Sequence, residues 1–137
     1  MAGLRGCIMA AVIAIAPASI AQVAQPLAAP PVEALTGDPD AGAEFYATEC
    51  KGCHAVSIAP TLRGVIGRPV ASVAGFSGYS EALKAKAALA WTPETLDIFL
   101  KGPMDFAPGT LMTKAIEDAQ VRADVIAYIA TLPPPRS

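Results

Sequence analysis

A chain of 137 residues has room for one modest domain and little else. Ten basic and twelve acidic side chains give a formal net charge of -2, which offers no electrostatic case for nucleic acid as a partner. Hydrophobic residues make up 53% of the chain, and the excess is concentrated at the amino end.

There, Arg5 precedes an apolar run from Ile8 to Ile15, and Ser19-Ile20-Ala21 forms a small-residue exit. That order predicts a secretory signal peptide over residues 1–21 and export to the periplasm. The alternative is an uncleaved anchor, and membrane association would follow only from that. The run is short for crossing hydrocarbon and Pro17 interrupts it. Cys7 falls in the discarded leader. Residues 22–36 are rich in Ala and Pro without helical period and read as a flexible lead-in. The folded domain is then 37–137, small enough to need a disulfide, metal or cofactor beside its core.

In that part the pattern is helices and loops, with no alternating strand pattern. Asp38-Pro39 reads as an N-cap and a proline in the first helical turn. The helix it starts carries Gly42, Phe45, Tyr46, Cys50 and Cys53 at three- and four-residue spacings. Pro60, Gly64, Gly67, Pro69 and Gly75 leave no room for a long helix, so residues 59–78 are irregular and need something to pack on. A short helix is expected after Ser80, over EALKAKAALA, residues 81–90. A helix starts at Thr92-Pro93-Glu94, turns Leu96, Phe99 and Leu100 inward and stops at Gly102. Pro108-Gly109-Thr110 is a turn, with Met112 on the loop beyond it and Met104 expected as core filler. A last helix begins near Glu117-Asp118, has Val121, Val125, Tyr128, Ile129 and Leu132 along one side, and ends at Pro133.

The segment Cys50-Lys51-Gly52-Cys53-His54 holds the only two cysteines outside the leader and the only histidine. On a helix both thiols face one side, and His54, four residues after Cys50, joins them. C-x-x-C-H has the spacing that adds two thiols to two vinyl groups at one porphyrin edge and leaves an imidazole beside the iron: a c-type haem attachment motif. A structural zinc site would have to recruit carboxylates. A thioredoxin-like site wants a strand–turn–helix context that is absent from the pattern. A plain disulfide leaves His54 unexplained. With no second histidine, a bis-histidine haem is excluded, and Met104 and Met112 are the methionines outside the leader.

From Gly37 to Leu132 the chain resembles class I cytochrome c, the mitochondrial type and its small soluble bacterial relatives. The landmarks run in order: GDPDAGAEFYATECKGCHAV, APTLRGVIGR, GFSGYSEALK, WTPETLDIFLKGPMDFAPGTLM and VRADVIAYIATL. The resemblance implies an all-α domain of three main helices plus long loops wrapped around one covalent haem c. It implies Cys50 and Cys53 as the attachment residues, His54 and Met112 as axial ligands, and a carbonyl at Pro60 that accepts the His54 ring N–H. Arg68, Tyr79, Trp91 and Thr110 match positions that bond the haem propionates. Gly42 and Tyr46 match positions where the first helix crosses the last near Val125 and Tyr128.

Some positions depart from the family pattern. Ala59 replaces the usual glycine before Pro60, and Phe99 stands where many relatives have a tyrosine. Gly78 looks inserted before Tyr79, and Lys114 or its neighbours occupy the place of a familiar aromatic. The lysine ring is thinned, with Glu49, Met104, Asp105 and Leu111 at positions where lysines are common. The expected function is a monomeric, non-enzymatic periplasmic carrier of single electrons between redox proteins. The alternatives are a labile or open sixth site that binds gas or peroxide, and a dedicated electron-transfer subunit of a dehydrogenase or oxidase.

Overall fold

The computed structural model describes residues 36–136, so the leader and all of the lead-in but Thr36 lie outside the described residues. Helix α1 runs from Pro39 to Phe45. Its start follows from chemistry: the Asp38 carboxylate accepts from the Asp40 and Ala41 N–H groups, and Pro39 needs no partner for its own nitrogen. A π-helical turn, Tyr46–Cys50, joins it to α2, Lys51–His54. The Thr48 hydroxyl donates to the carbonyls of Glu44 and Phe45, at 3.2 and 3.1 Å, and competes with the backbone ladder at that point. The extra residue in the turn rotates everything after it by about 100° relative to a continuous α-helix. Tyr46 therefore stays with α1 and faces α6, while Cys50, Cys53 and His54 line another space.

The chain then runs irregularly to Ser80, which caps the single turn of α3, Glu81–Lys84. This helix is shorter than the alanine-rich sequence predicts. Val70 donates to the Leu89 carbonyl at 2.9 Å and Pro69 pairs with Ala90, so the second half of EALKAKAALA is spent on holding the 65–70 loop. Helix α4, Pro93–Lys101, has the expected Thr92 cap and Gly102 stop, with Leu96, Phe99 and Leu100 buried. A short α5, Pro103–Phe106, follows. Met104 on it is 45% exposed and fills no core, contrary to expectation, because α5 buries Pro103 instead and leaves Met104 toward solvent. Helix α6, Ala119–Thr131, is capped by Asp118 and packs across α1 and α4. Among the described residues there is no strand, and no helix is long and apolar enough to cross a membrane.

The α1–α6 crossing is backbone on backbone. A Cβ built at Gly42 would lie 2.0 Å from the Asp124 carbonyl oxygen, and the Tyr46 and Tyr128 rings meet beside it at 5.1 Å. The α4–α6 contact carries a buried cation. Arg122, 5% exposed, donates to Asp97 at 2.6 Å and to the carbonyls of Ile116 and Glu117 at 2.9 and 2.8 Å. The Asp97 side chain is 43% exposed and can be rehydrated, so the two carbonyls would bear most of the loss. Arg122→Met is expected to cost about 2–4 kcal/mol, and Asp97→Asn clearly less. Chemical denaturation of the two variants checks that order; equal losses would contradict it.

Candidate haem site

A cleft of about 290 Å³ opens beside α2 and is lined by Phe45, Cys50, Cys53, His54, Leu62, Val65, Leu83, Leu96, Leu100, Val125 and Ile129 among others. Most of these are the apolar side chains that the helices turn inward. The expected site residues Arg68, Tyr79, Trp91, Thr110 and Met112 line the same cleft, so residues far apart in sequence are gathered around one space.

Each arrives by a local cause. The end of the π-helical turn and α2 bring Cys50, Cys53 and His54 to one cleft, with both thiols free. After α2 the chain turns back through Ser57 at φ 66°, a left-handed conformation. That return sets the Pro60 carbonyl 2.7 Å from His54 Nδ1. A carbonyl can only accept, so Nδ1 carries the proton and Nε2 keeps its lone pair. Burial pushes the imidazole below its usual pKa, and the bond to Pro60 offsets part of that. The result is a braced, neutral imidazole with a free lone pair, the state a metal ligand needs. Burial raises the Cys50 thiol, with Glu49 adding to the rise and Lys114 opposing it. The thiol is therefore held protonated rather than primed as a nucleophile.

Arg68 donates to the carbonyls of Arg63 and Thr61, at 3.1 and 2.7 Å, which fixes the guanidinium and leaves other N–H groups unspent. Burial is the main cause that lowers its pKa, and among the described residues no carboxylate pairs with it. A half-buried cation beside an apolar cleft without a protein anion suits a ligand that brings its own. Trp91 is buried against Phe99 and Phe106, with ring centroids 5.1 and 6.0 Å away. Phe99, in place of a tyrosine, offers that cluster no hydroxyl. The Tyr79 hydroxyl accepts from the Val73 N–H at 3.3 Å, and the buried Thr110 hydroxyl accepts from the Met112 N–H at 3.4 Å. Gly109, at φ 78°, makes the turn that delivers Thr110 and Met112.

Sequence reasoning did not find that Glu49 and Lys114, which line the cleft too, form an ion pair. The thinned lysine ring alone does not disclose it, because the partners are 65 residues apart. Among the described residues no group of three His, Cys, Asp or Glu side chains gathers as a metal site, so zinc has no cage here. Two free thiols, a braced neutral imidazole, an apolar cleft and an unpaired cation fit a large flat apolar ligand with acidic edges. That is the chemistry of a small all-α protein carrying a covalent porphyrin.

The comparisons with known proteins agree. The family described as Cytochrome c matches residues 39–133. The cytochrome c-type cyt cy of Rhodobacter capsulatus is 46% identical over 104 residues, 72% of this chain and 51% of its own length. This chain thus spans about half of that relative. Cytochrome c2 of Rhodopila globiformis is 38% identical over 102 residues, 70% of this chain and 94% of its own. Among solved structures, cytochrome cH from Methylobacterium extorquens superposes with a TM-score of 0.59 at 37% identity, covering 69% of this chain and 99% of its own. The chain belongs to the cytochrome c family, has its all-α fold and binds one covalent c-type haem.

Proposed function

We propose that this protein is a single-electron carrier of the periplasm, exported by the leader at residues 1–21 and folded from residue 37 onward. The observation that carries the reading is the convergence of His54 and Met112 on one apolar cleft with Cys50 and Cys53. The haem supplies an iron that takes up and releases one electron. Cys50 and Cys53 tether it, which matters in a compartment open to dilution. His54 Nε2 would hold the iron, and the Nδ1–H bond to Pro60 sets the ring angle and increases its basicity. Met112 sulfur would hold the iron from the loop after Gly109, and a thioether there would raise the reduction potential. Arg68, with Tyr79, Trp91 and Thr110, holds the propionates. Leu96, Leu100, Val125 and Ile129 exclude water from the cleft and keep its dielectric low. With Cys50, Cys53, His54 and Met112 all assigned to holding the haem, the reading is of a monomeric, non-enzymatic carrier serving redox-protein donors and acceptors.

If His54 and Met112 both hold the iron, reaction with small ligands should be slow. The ferrous holoprotein is expected to leave carbon monoxide unbound over seconds at neutral pH. Visible spectra after mixing check this, and rapid binding would instead support an open or labile sixth site. Purification from the native host addresses the other alternative: a dedicated subunit would stay with a larger dehydrogenase or oxidase, and a free carrier would not.

A further inference from the structure

The loop that carries Met112 is pinned at two points. Thr110 donates to the Ala107 carbonyl at 3.1 Å, and Ile116 donates to the Leu100 carbonyl at 2.8 Å. Between them, among the described residues, no backbone–backbone hydrogen bond involves residues 111–115. Leu111, Thr113, Lys114 and Ala115 are exposed, so within the span only Met112, half-buried against the core and bonded through its N–H to the Thr110 hydroxyl, is held locally. One long-range polar contact remains: the Lys114 ammonium donates to the Glu49 carboxylate, next to Cys50. Both residues line the cleft.

We propose that Lys114 and Glu49 form a strap that holds the Met112 segment against the haem-attachment turn, and so act as positioning residues for the distal ligand. The proposal rests on the reading of Met112 as that ligand. Its two ends belong to the two parts of the chain that must stay together for both axial ligands to reach one iron. The charges also neutralise each other at the mouth of the cleft. The side chains are 53% and 39% exposed, so water and salt weaken the strap without abolishing it. A contact of that strength sets how often the loop lifts, not whether the domain folds.

The test follows binding of imidazole to the ferric holoprotein by stopped-flow at about pH 8, where the probe is mostly neutral and its own entry is little affected by salt. Entry requires Met112 to leave. Lys114→Gln and Glu49→Gln are each expected to speed entry about two- to five-fold, the range that exposed ion pairs support. Wild type should speed up as salt is raised, and the single variants should not. Lys114→Arg, and the reversed pair Glu49→Lys with Lys114→Glu, should restore the slow rate, which a merely structural lysine would not do. Wild-type rates in both single variants, or failure of the reversed pair to restore them, would overturn the strap. Amide exchange across residues 111–115 separates this from failure of the ligand reading. If Met112→Ala keeps the spectrum of wild type, Met112 is not the ligand, and the exchange rates decide alone. Faster exchange in the single variants with recovery in the reversed pair supports the strap, and unchanged exchange sinks it.

Discussion

Met112→Ala is expected to abolish the weak far-red band of the ferric holoprotein while leaving the haem covalently attached. The two outcomes separate because they depend on different residues. Attachment needs Cys50 and Cys53, and both lie on the α2 side of the cleft, untouched by a change in the loop after Gly109. The band reports sulfur bound to ferric iron, and among the described residues Met112 is the only methionine lining the cleft, since Met104 faces solvent. The reduction potential should fall with it. A thioether favours the ferrous state over the ferric, and axial ligands set haem potentials across roughly 0.8 V. A fall on the order of 100 mV is therefore expected; at about 59 mV per tenfold it corresponds to a loss of about fifty-fold in relative preference for the ferrous state. Potentiometric titration beside the visible spectra checks both. A variant that keeps band and potential would show that another atom is the sixth ligand.

The sequence discloses those parts of the molecule whose cause is local. Asp38-Pro39, Thr92-Pro93 and Asp118 start helices where they stand because the cap and the missing proton act within a turn. The attachment segment is legible for the same reason, and the ordered landmarks point to Met112, which lines the same cleft. What is hidden depends on distant partners. EALKAKAALA has the composition of a longer helix, and the hydrogen bond from Val70 to Leu89 takes half of it away. Nothing within RADVIAYIA marks Arg122 as buried, and only the packing of α4 on α6 shows it held by Asp97 and two carbonyls. The π-helical turn leaves just one sign, Thr48, whose hydroxyl reaches back to Glu44 and Phe45. The pairing of Lys114 with Glu49 leaves none, because each is an ordinary charged residue on its own stretch of chain.

Gly42→Ala is expected to destabilise the holoprotein by about 3 kcal/mol or more, although alanine is the better helix former. Two effects oppose each other here. Replacing a glycine inside a helix recovers up to about 1 kcal/mol of propensity. Against it, the new Cβ would sit 2.0 Å from the Asp124 carbonyl oxygen, 2.5 Å from its carbon and 2.9 Å from the Tyr128 Cβ. The nearest of these atoms belong to the backbone of α6, which cannot turn aside as a flexible side chain would. Relief requires α1 and α6 to separate, and the Tyr46–Tyr128 contact would loosen with them. Val125 and Ile129 on α6 line the haem cleft, so the damage would reach the site. Gly52→Ala supplies the control. Gly52 lies in α2 between the two cysteines, and a Cβ there meets nothing within 4 Å. Propensity then acts unopposed, and the variant should match wild type or gain up to about 1 kcal/mol. Denaturant midpoints for the pair, with m-values compared to confirm the same transition, decide the matter. If Gly42→Ala proved as stable as Gly52→Ala, the close crossing of the first and last helices would not be what holds this fold together.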